Sequence, residues 1–460
     1  MERSWEIGKL KTMIYRFLKT WLLPIVALIA VGIALVTYES DYLFKVQELN
    51  LFLYSKMFFE QQMVVSGGLL TWLGTYFTQY FYYPALGTTL LCLWLGLMMW
   101  LFKHAFRIAD RYSALLLVPL ALVVITDVDL GYWIYYLKLR GHFFIAPMGF
   151  SWAFAMVWAY RALPTKWWLR TIWLPVSVAL SYPFVGIYSL IAALTMAVMA
   201  LVANKSIGRK VIDAIVAVLS LVAVPLVCYR TIFSQTNISD IWYTALPLFR
   251  TDVNHMAYYT PWIAMTALML LLALTIRIEV AEKPRKPLLF WASQVALVVL
   301  VAVGTWHFWY KDKNFHHEIV MSHCIDNKDW EGVLTEYRNM DADEEPTRMM
   351  WMMKNLALTR LGRAGDEMFR YKNGDAHSDA PFEVRLTQIG GKQIYYNYGQ
   401  INFCYRWCLE DGVEYGWRVD FIKYLLKCSI LNGEMEAAQK YIDILKQTKY
   451  YANYGEQFEV

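Results

Sequence analysis

Residues 123–133 read VVITDVDLGYW. How this stretch is read decides the fold. An apolar run stops here, and two carboxylates, Asp127 and Asp129, stand one residue apart with aromatics behind them. If 113–127 crosses a membrane, every later loop lies on one side. If it does not, every later loop changes sides.

The surroundings favour a crossing. The 460 residues are 58% hydrophobic, 17% aromatic and only 18% charged, where a globular chain carries about 25% charged residues. A membrane helix needs about 20 apolar residues, or about 17 at the short end. Nine such runs are expected as spans: 18–38, 83–102, 113–127, 143–160, 170–182, 184–203, 211–228, 260–277 and 288–309. The third and fifth are short enough to be re-entrant.

Charge decides among these readings, because Lys and Arg collect in cytoplasmic loops. With nine spans and the N-terminus inside, inner segments carry 18 basic residues and outer loops 6. Removing one short span flips every later loop and breaks that bias. The first span has a basic flank, an apolar run too long for a cleaved leader, and no small-residue cleavage site in TYESDYLF; it reads as an uncleaved signal anchor. The long outer loop 39–82 contains LNLFLYSKMFFEQQM, an amphipathic stretch expected to lie in the interface. The pair Gly67 and Gly68 starts the next segment, Pro84 begins the second span, and SYPFVG at 181–186 forms a tight turn.

The charge balance changes after residue 310. Residues 1–310 hold 24 Lys and Arg against 14 Asp and Glu; residues 311–460 hold 19 against 24. The chain therefore divides into a membrane part, 1–310, and an acidic extracytoplasmic tail, 311–460. No basic stripe interleaved with aromatics appears, which excludes nucleic acid as the expected partner. In the tail, WEGVLTEYRNM and EAAQKYIDILKQT look like second helices of helical hairpins. Gly362 and Gly433 each separate two apolar-periodic runs. The pattern resembles tetratricopeptide-type repeats without their full consensus. No polar capping helix is visible after YYANYGEQFEV, so the array is expected either to be truncated or to carry an atypical cap. The fold class is all-α: a polytopic bundle of about nine spans followed by a soluble, TPR-like helical domain.

Six cysteines are scattered without a CxxC pair, which argues against zinc ribbons and thioredoxin-type sites. Cys404 and Cys408, four apart, read first as small buried residues.

With the topology set, eight acids fall outside: Glu39, Asp41, Glu48, Glu60, Asp127, Asp129, Asp240 and Asp252. A helix of about 15 residues rises about 22 Å, less than the roughly 30 Å hydrocarbon core. The end of 113–127 should then sit recessed, where carboxylates are costly unless they line water or hold a cation.

This arrangement resembles the GT-C class of membrane glycosyltransferases. That class has its N-terminus inside, an acid just after the first span, a DxD-like motif in the second outer loop and, in many members, a soluble outer C-terminal domain. Here YESDY supplies Glu39 and Asp41, and TDVD supplies Asp127 and Asp129. The resemblance covers roughly residues 15–310 by topology and two short motifs. It implies a polyprenyl-phosphate-linked sugar donor. It makes Asp41, or Glu39 or Glu48, the base candidate. Asp127 and Asp129 would then hold Mg²⁺ or Mn²⁺ or orient the acceptor. The cations expected on the outer side, Arg140, His142, Arg230, Arg250 and His255, would be candidates for the donor phosphate. The whole chain also resembles a bacterial family of multi-pass proteins with a repeat-like tail, which implies no activity. The competing expectation is a non-catalytic membrane scaffold. Its tail would bind a periplasmic protein, and Asp127 and Asp129 would be a solvated helix end paired to Lys138 or Arg140. A transporter comes third, since no inverted repeat is visible.

Overall fold

The computed structural model describes residues 2–138, 140–233, 235–248, 256–277, 286–341, 345–372 and 387–458, with side chains from Thr20 onward. The described residues are helical, with no strand among them. The first part comprises α1 (Glu2–Tyr38), α2 (Ser40–Glu48), α3 (Lys56–Gln62), α4 (Gly68–Thr78), α5 (Pro84–Phe106), α6 (Leu117–Val128), α7 (His142–Ala162), α8 (Trp167–Val185), α9 (Ile187–Ala203), α10 (Ile207–Thr231), α11 (Thr260–Leu274) and α12 (Pro287–Phe308). The second comprises α13 (Lys313–Asp326), α14 (Trp330–Asn339), α15 (Arg348–Arg360), α16 (Ala364–Glu367), α17 (Lys392–Asn397), α18 (Ile401–Tyr415), α19 (Val419–Leu431), α20 (Met435–Lys446) and α21 (Ala452–Glu456).

All nine expected runs are helical. Among the described residues seven helices are long and apolar enough to cross a membrane: Thr20–Tyr38, Pro84–Phe106, Asp110–Val128, His142–Ala162, Ile207–Thr231, Ala257–Arg277 and Pro287–Phe308. The count departs from nine at the α8–α9 hairpin. The apolar run of α8 is broken by Arg170, Pro175 and Pro183. With 17 residues, α9 rises only about 25 Å. The run 113–127 is longer than its apolar core implied, because a 3-10 turn over Asp110–Leu116 feeds directly into α6.

The most enclosed of the apolar helices is α7, packed by α4, α5 and α9. Close approach to α4 requires Gly141: it holds φ +78°, and a Cβ there would come 2.4 Å from the backbone of Gly74. At the edge, α12 has no buried residue and packs along α6.

Helical hairpins make up the second part. Asp312, Asp329 and Thr347 cap α13, α14 and α15 by accepting backbone N–H groups with their side chains, as residues of these types do. Gly362 and Gly433 turn the chain with φ +70° and +74°. All six cysteines are free, and Cys404, Cys408 and Cys428 are buried together.

The apolar core does not stop at residue 310. One buried cluster runs from Leu35 and Phe143 through Phe315 and Met350 to Tyr415. A second joins Leu51 to Cys404, Leu425 and Leu445. The stretch LNLFLYSKMFFEQQM, expected in the interface, packs in part against the tail. Only Lys56–Gln62 is helical. Ahead of it the chain lies against the tail: Tyr54 N–H donates to Gln447 O at 2.9 Å, and Asn50 O accepts from Val419 N–H at 3.2 Å. Buried apolar contact with α19 and α20 outweighs local periodicity here.

Candidate functional site

Glu39 sits at the break between α1 and α2, where the first apolar run ends and the chain turns. Its Oε1 accepts the indole N–H of Trp309 at 2.6 Å. His316, on α13, stands 3.8 Å from Glu39 Oε2 through Nε2 and 3.5 Å from Asp41 Oδ2 through Nδ1. Burial pushes the Glu39 carboxyl up from its ordinary range, opposed by His316. Burial works against a charged His316, but the carboxylates of Asp41 and Glu39 prevail and raise its pKa. The YESDY acids thus hold the tail through His316.

Asp127 occupies the last turn of α6 and is only 3% exposed. Its Oδ1 lies 3.4 Å from the Thr126 hydroxyl. Its backbone carbonyl accepts the Tyr42 hydroxyl at 2.9 Å, so the two acidic motifs meet through Tyr42. Asp129 follows the helix. Burial pushes its carboxyl up to about 6, opposed by the charge of His307. Beyond it the chain turns at Gly131, φ +50°, where a Cβ would lie 2.4 Å from the Tyr310 ring. Tyr310 N–H donates to Val128 O at 2.9 Å. Asp129, Thr126, His142, Pro247, Tyr258 and Trp262 line a small cavity of about 10 Å³, room for about one water. His142 Nε2 is buried there without a hydrogen-bond partner.

A second cavity is far larger, about 1080 Å³, the size class of a ligand site. It lies between the 51–66 segment, the 235–248 segment and the tail. Leu53, Met57, Phe58, Leu246, Trp417 and Ile444 give it apolar walls. Lys138, Arg140 and Lys440 give it positive charge, and Asp240 is the one carboxylate on its wall among the described residues. Arg140 Nη2 donates to Tyr415 O at 2.6 Å, while its Nε is buried without a partner. Lys138 Nζ lies 6.0 Å from the Tyr415 ring centre. A thin partition separates the cavities: Leu246 and Leu248 face the large one and Pro247 the small one. Ala245, beside them, holds φ +66°, a left-handed conformation that is strained for alanine.

Residues 15–459 match DUF6057, a family of unknown function. The chain belongs to this family. No curated protein and no solved structure matches it.

In this DUF6057 chain the expected site residues fall into separate groups. Glu39 and Asp41 join His316; Asp129 joins His142; Arg140 joins Lys138 and Lys440. Arg230 is exposed near the end of α10 and lines neither cavity. Arg250 and His255 lie outside the described residues. Among the described residues no three His, Cys, Asp or Glu side chains are grouped as metal ligands, and Asp127 lies buried beside the Thr126 hydroxyl. Asp127 and Asp129 do not pair with Lys138 or Arg140 either, since no such ion pair forms and Asp127 is buried. Sequence reasoning missed Lys440 and Trp417, and did not foresee that His316 would join Glu39 and Asp41. Each lies hundreds of residues from the groups it joins, and no local pattern marks it.

Proposed function

We propose that this is an integral membrane protein that binds a lipid-linked anion in the large cavity, in the manner of a GT-C-like glycosyltransferase using a polyprenyl-phosphate-linked sugar. The observation that carries this reading is the cavity's composition. Apolar walls suit a polyprenyl chain, and Lys138, Arg140 and Lys440 suit a phosphate. The division into a membrane bundle with the N-terminus cytoplasmic and an extracytoplasmic TPR-like tail belongs to the same proposal. It is supported by seven apolar helices and by helical hairpins after residue 313.

Asp129 is the base in this reading, in place of Asp41, which His316 occupies. A carboxyl raised to about 6 is ionised at neutral pH and suited to take a proton. It removes the proton from an acceptor hydroxyl as that oxygen bonds to the sugar's anomeric carbon. The bond from that carbon to the phosphate breaks, and the phosphate leaves toward Lys138 and Arg140. Transfer requires the strained 245–248 partition to open.

Asp129→Asn should reproduce the glycan loss that a deletion strain shows, with protein level unchanged. Glycans identical in the variant, the deletion strain and the wild type would remove the enzymatic reading. The pairing of Glu39 and Asp41 with His316 favours a second reading, a scaffold whose outer acids fix the tail for a periplasmic partner. Intact glycans would then be accompanied by loss of that partner when the tail is undocked.

A further inference from the structure

Four arginines that serve only as topology markers in the sequence converge on one cleft. Arg107 follows α5, Arg161 ends α7, Arg170 lies in the first turn of α8, and Arg277 follows α11. Together with Tyr160 and Ala203 they line a cleft of about 250 Å³. It lies far from the tail. At the start of α5, Tyr82 stacks on Tyr450 at 4.6 Å, and Arg107 stands a 23-residue helix away, about 33 Å.

We propose that this cleft binds a phosphate-bearing anion. Three of the four guanidinium groups are fixed without being used up. Arg161 Nη1 donates to Ala105 O at 2.9 Å, Arg170 Nη2 to Leu163 O at 3.3 Å, and Arg277 Nη2 to Ala203 O at 2.6 Å. Each guanidinium has five N–H donors, so most stay available. Arg170 Nε is buried and has no partner. Among the described residues no carboxylate lies within 4 Å of any of the four. The nearby Asp213 is taken by Trp167, Thr171 and Asn204. Glu279 and Glu282, next along the chain from Arg277, lie outside the described residues. Arg107 also holds φ +51°, a left-handed conformation in which glycine is usual and arginine is strained. Several like charges held together with no counter-charge among the described residues call for an anion, and arginine forks match phosphate oxygens in pairs. The positive-inside rule accounts for arginines at this end of a bundle. It does not account for their sharing one cleft.

A phospholipid headgroup and a free phosphate offer the same chemistry, and two probes separate them. Purified full-length protein is titrated with vesicles of phosphatidylglycerol in phosphatidylcholine, and separately with inorganic pyrophosphate. Both titrations are repeated on Arg107→Gln/Arg277→Gln and on a control at the same end of the bundle, Lys205→Gln/Lys210→Gln. The cleft variant should bind one of the probes about tenfold more weakly or worse, with the control within about twofold. Vesicle binding that depends on the cleft identifies a lipid headgroup; pyrophosphate binding that does so identifies a soluble phosphate. Should the double variant fail to fold, Arg107→Gln alone is read in the same way. Equal loss in cleft and control variants, or no loss with either probe, overturns the proposal.

Discussion

The hydroxyl of Tyr42 donates to the backbone carbonyl of Asp127 across 2.9 Å, in a buried position. One residue of the first acidic motif thereby closes the end of the helix that carries the second. Phe143 and Phe315 flank the Tyr42 ring, so the aromatic packing survives removal of the hydroxyl. Tyr42→Phe should cost about 1 kcal/mol and lower Tm by about 2 °C. Asp127→Asn should leave this bond intact, because the acceptor is a main-chain oxygen. An unchanged Tm in Tyr42→Phe would show that the bond is not what joins the motifs.

The seam between α2 and α13 should loosen as pH rises. Asp41 and Glu39 together outweigh burial and raise His316, with Asp312 adding to the effect. Burial raises Glu39 and pushes Glu318 up to about 8. Each group binds its proton more tightly folded than unfolded, so each contributes stability that is fully present below its unfolded pKa. That contribution is lost as pH rises through the folded value, for Glu318 near 8. The protection of α13 amides, exchange being corrected for its intrinsic base catalysis, should fall between about pH 6 and about pH 8.5. His316→Gln should flatten the part of that dependence above about pH 6.5, the ordinary histidine value from which its raised pKa departs. Protection that rises with pH would reverse the sign and contradict this reading.

Lys392 and Asp420 form a 2.9 Å ion pair with both side chains almost fully buried. Removing one partner strands a buried charge, at about 3–5 kcal/mol, whereas an apolar pair of similar volume is close to neutral. Lys392→Met and Asp420→Leu should each be more destabilised than the double variant in thermal unfolding. Additive losses would mean that the two charges do not depend on each other.

The helices were legible because apolar run length and loop charge are local quantities. Pro84 opens α5, and Gly362 and Gly433 make turns, at the positions their chemistry marks. The packing of the tail was not legible. Buried Arg418 donates to Tyr135 O across 283 residues, and nothing near either residue announces it. The same holds for the site. YESDY and TDVD stand out as acids in an apolar chain, but their roles depend on partners brought from elsewhere. His316 takes up Asp41, and the Tyr42 hydroxyl bonds the carbonyl of Asp127. The split of 49–62 into an extended piece and a short helix likewise follows from contact with α19 and α20, which amphipathic periodicity does not encode.

The account rests on a lipid-linked anion occupying the large cavity. Mass spectrometry of lipids retained by the purified full-length protein tests this directly. The wild type should carry a polyprenyl-phosphate species, and Lys138→Gln/Lys440→Gln, which removes two exposed cations from the wall, should lose it while keeping its Tm. Bulk phospholipid alone, in equal amount in both proteins, would contradict it.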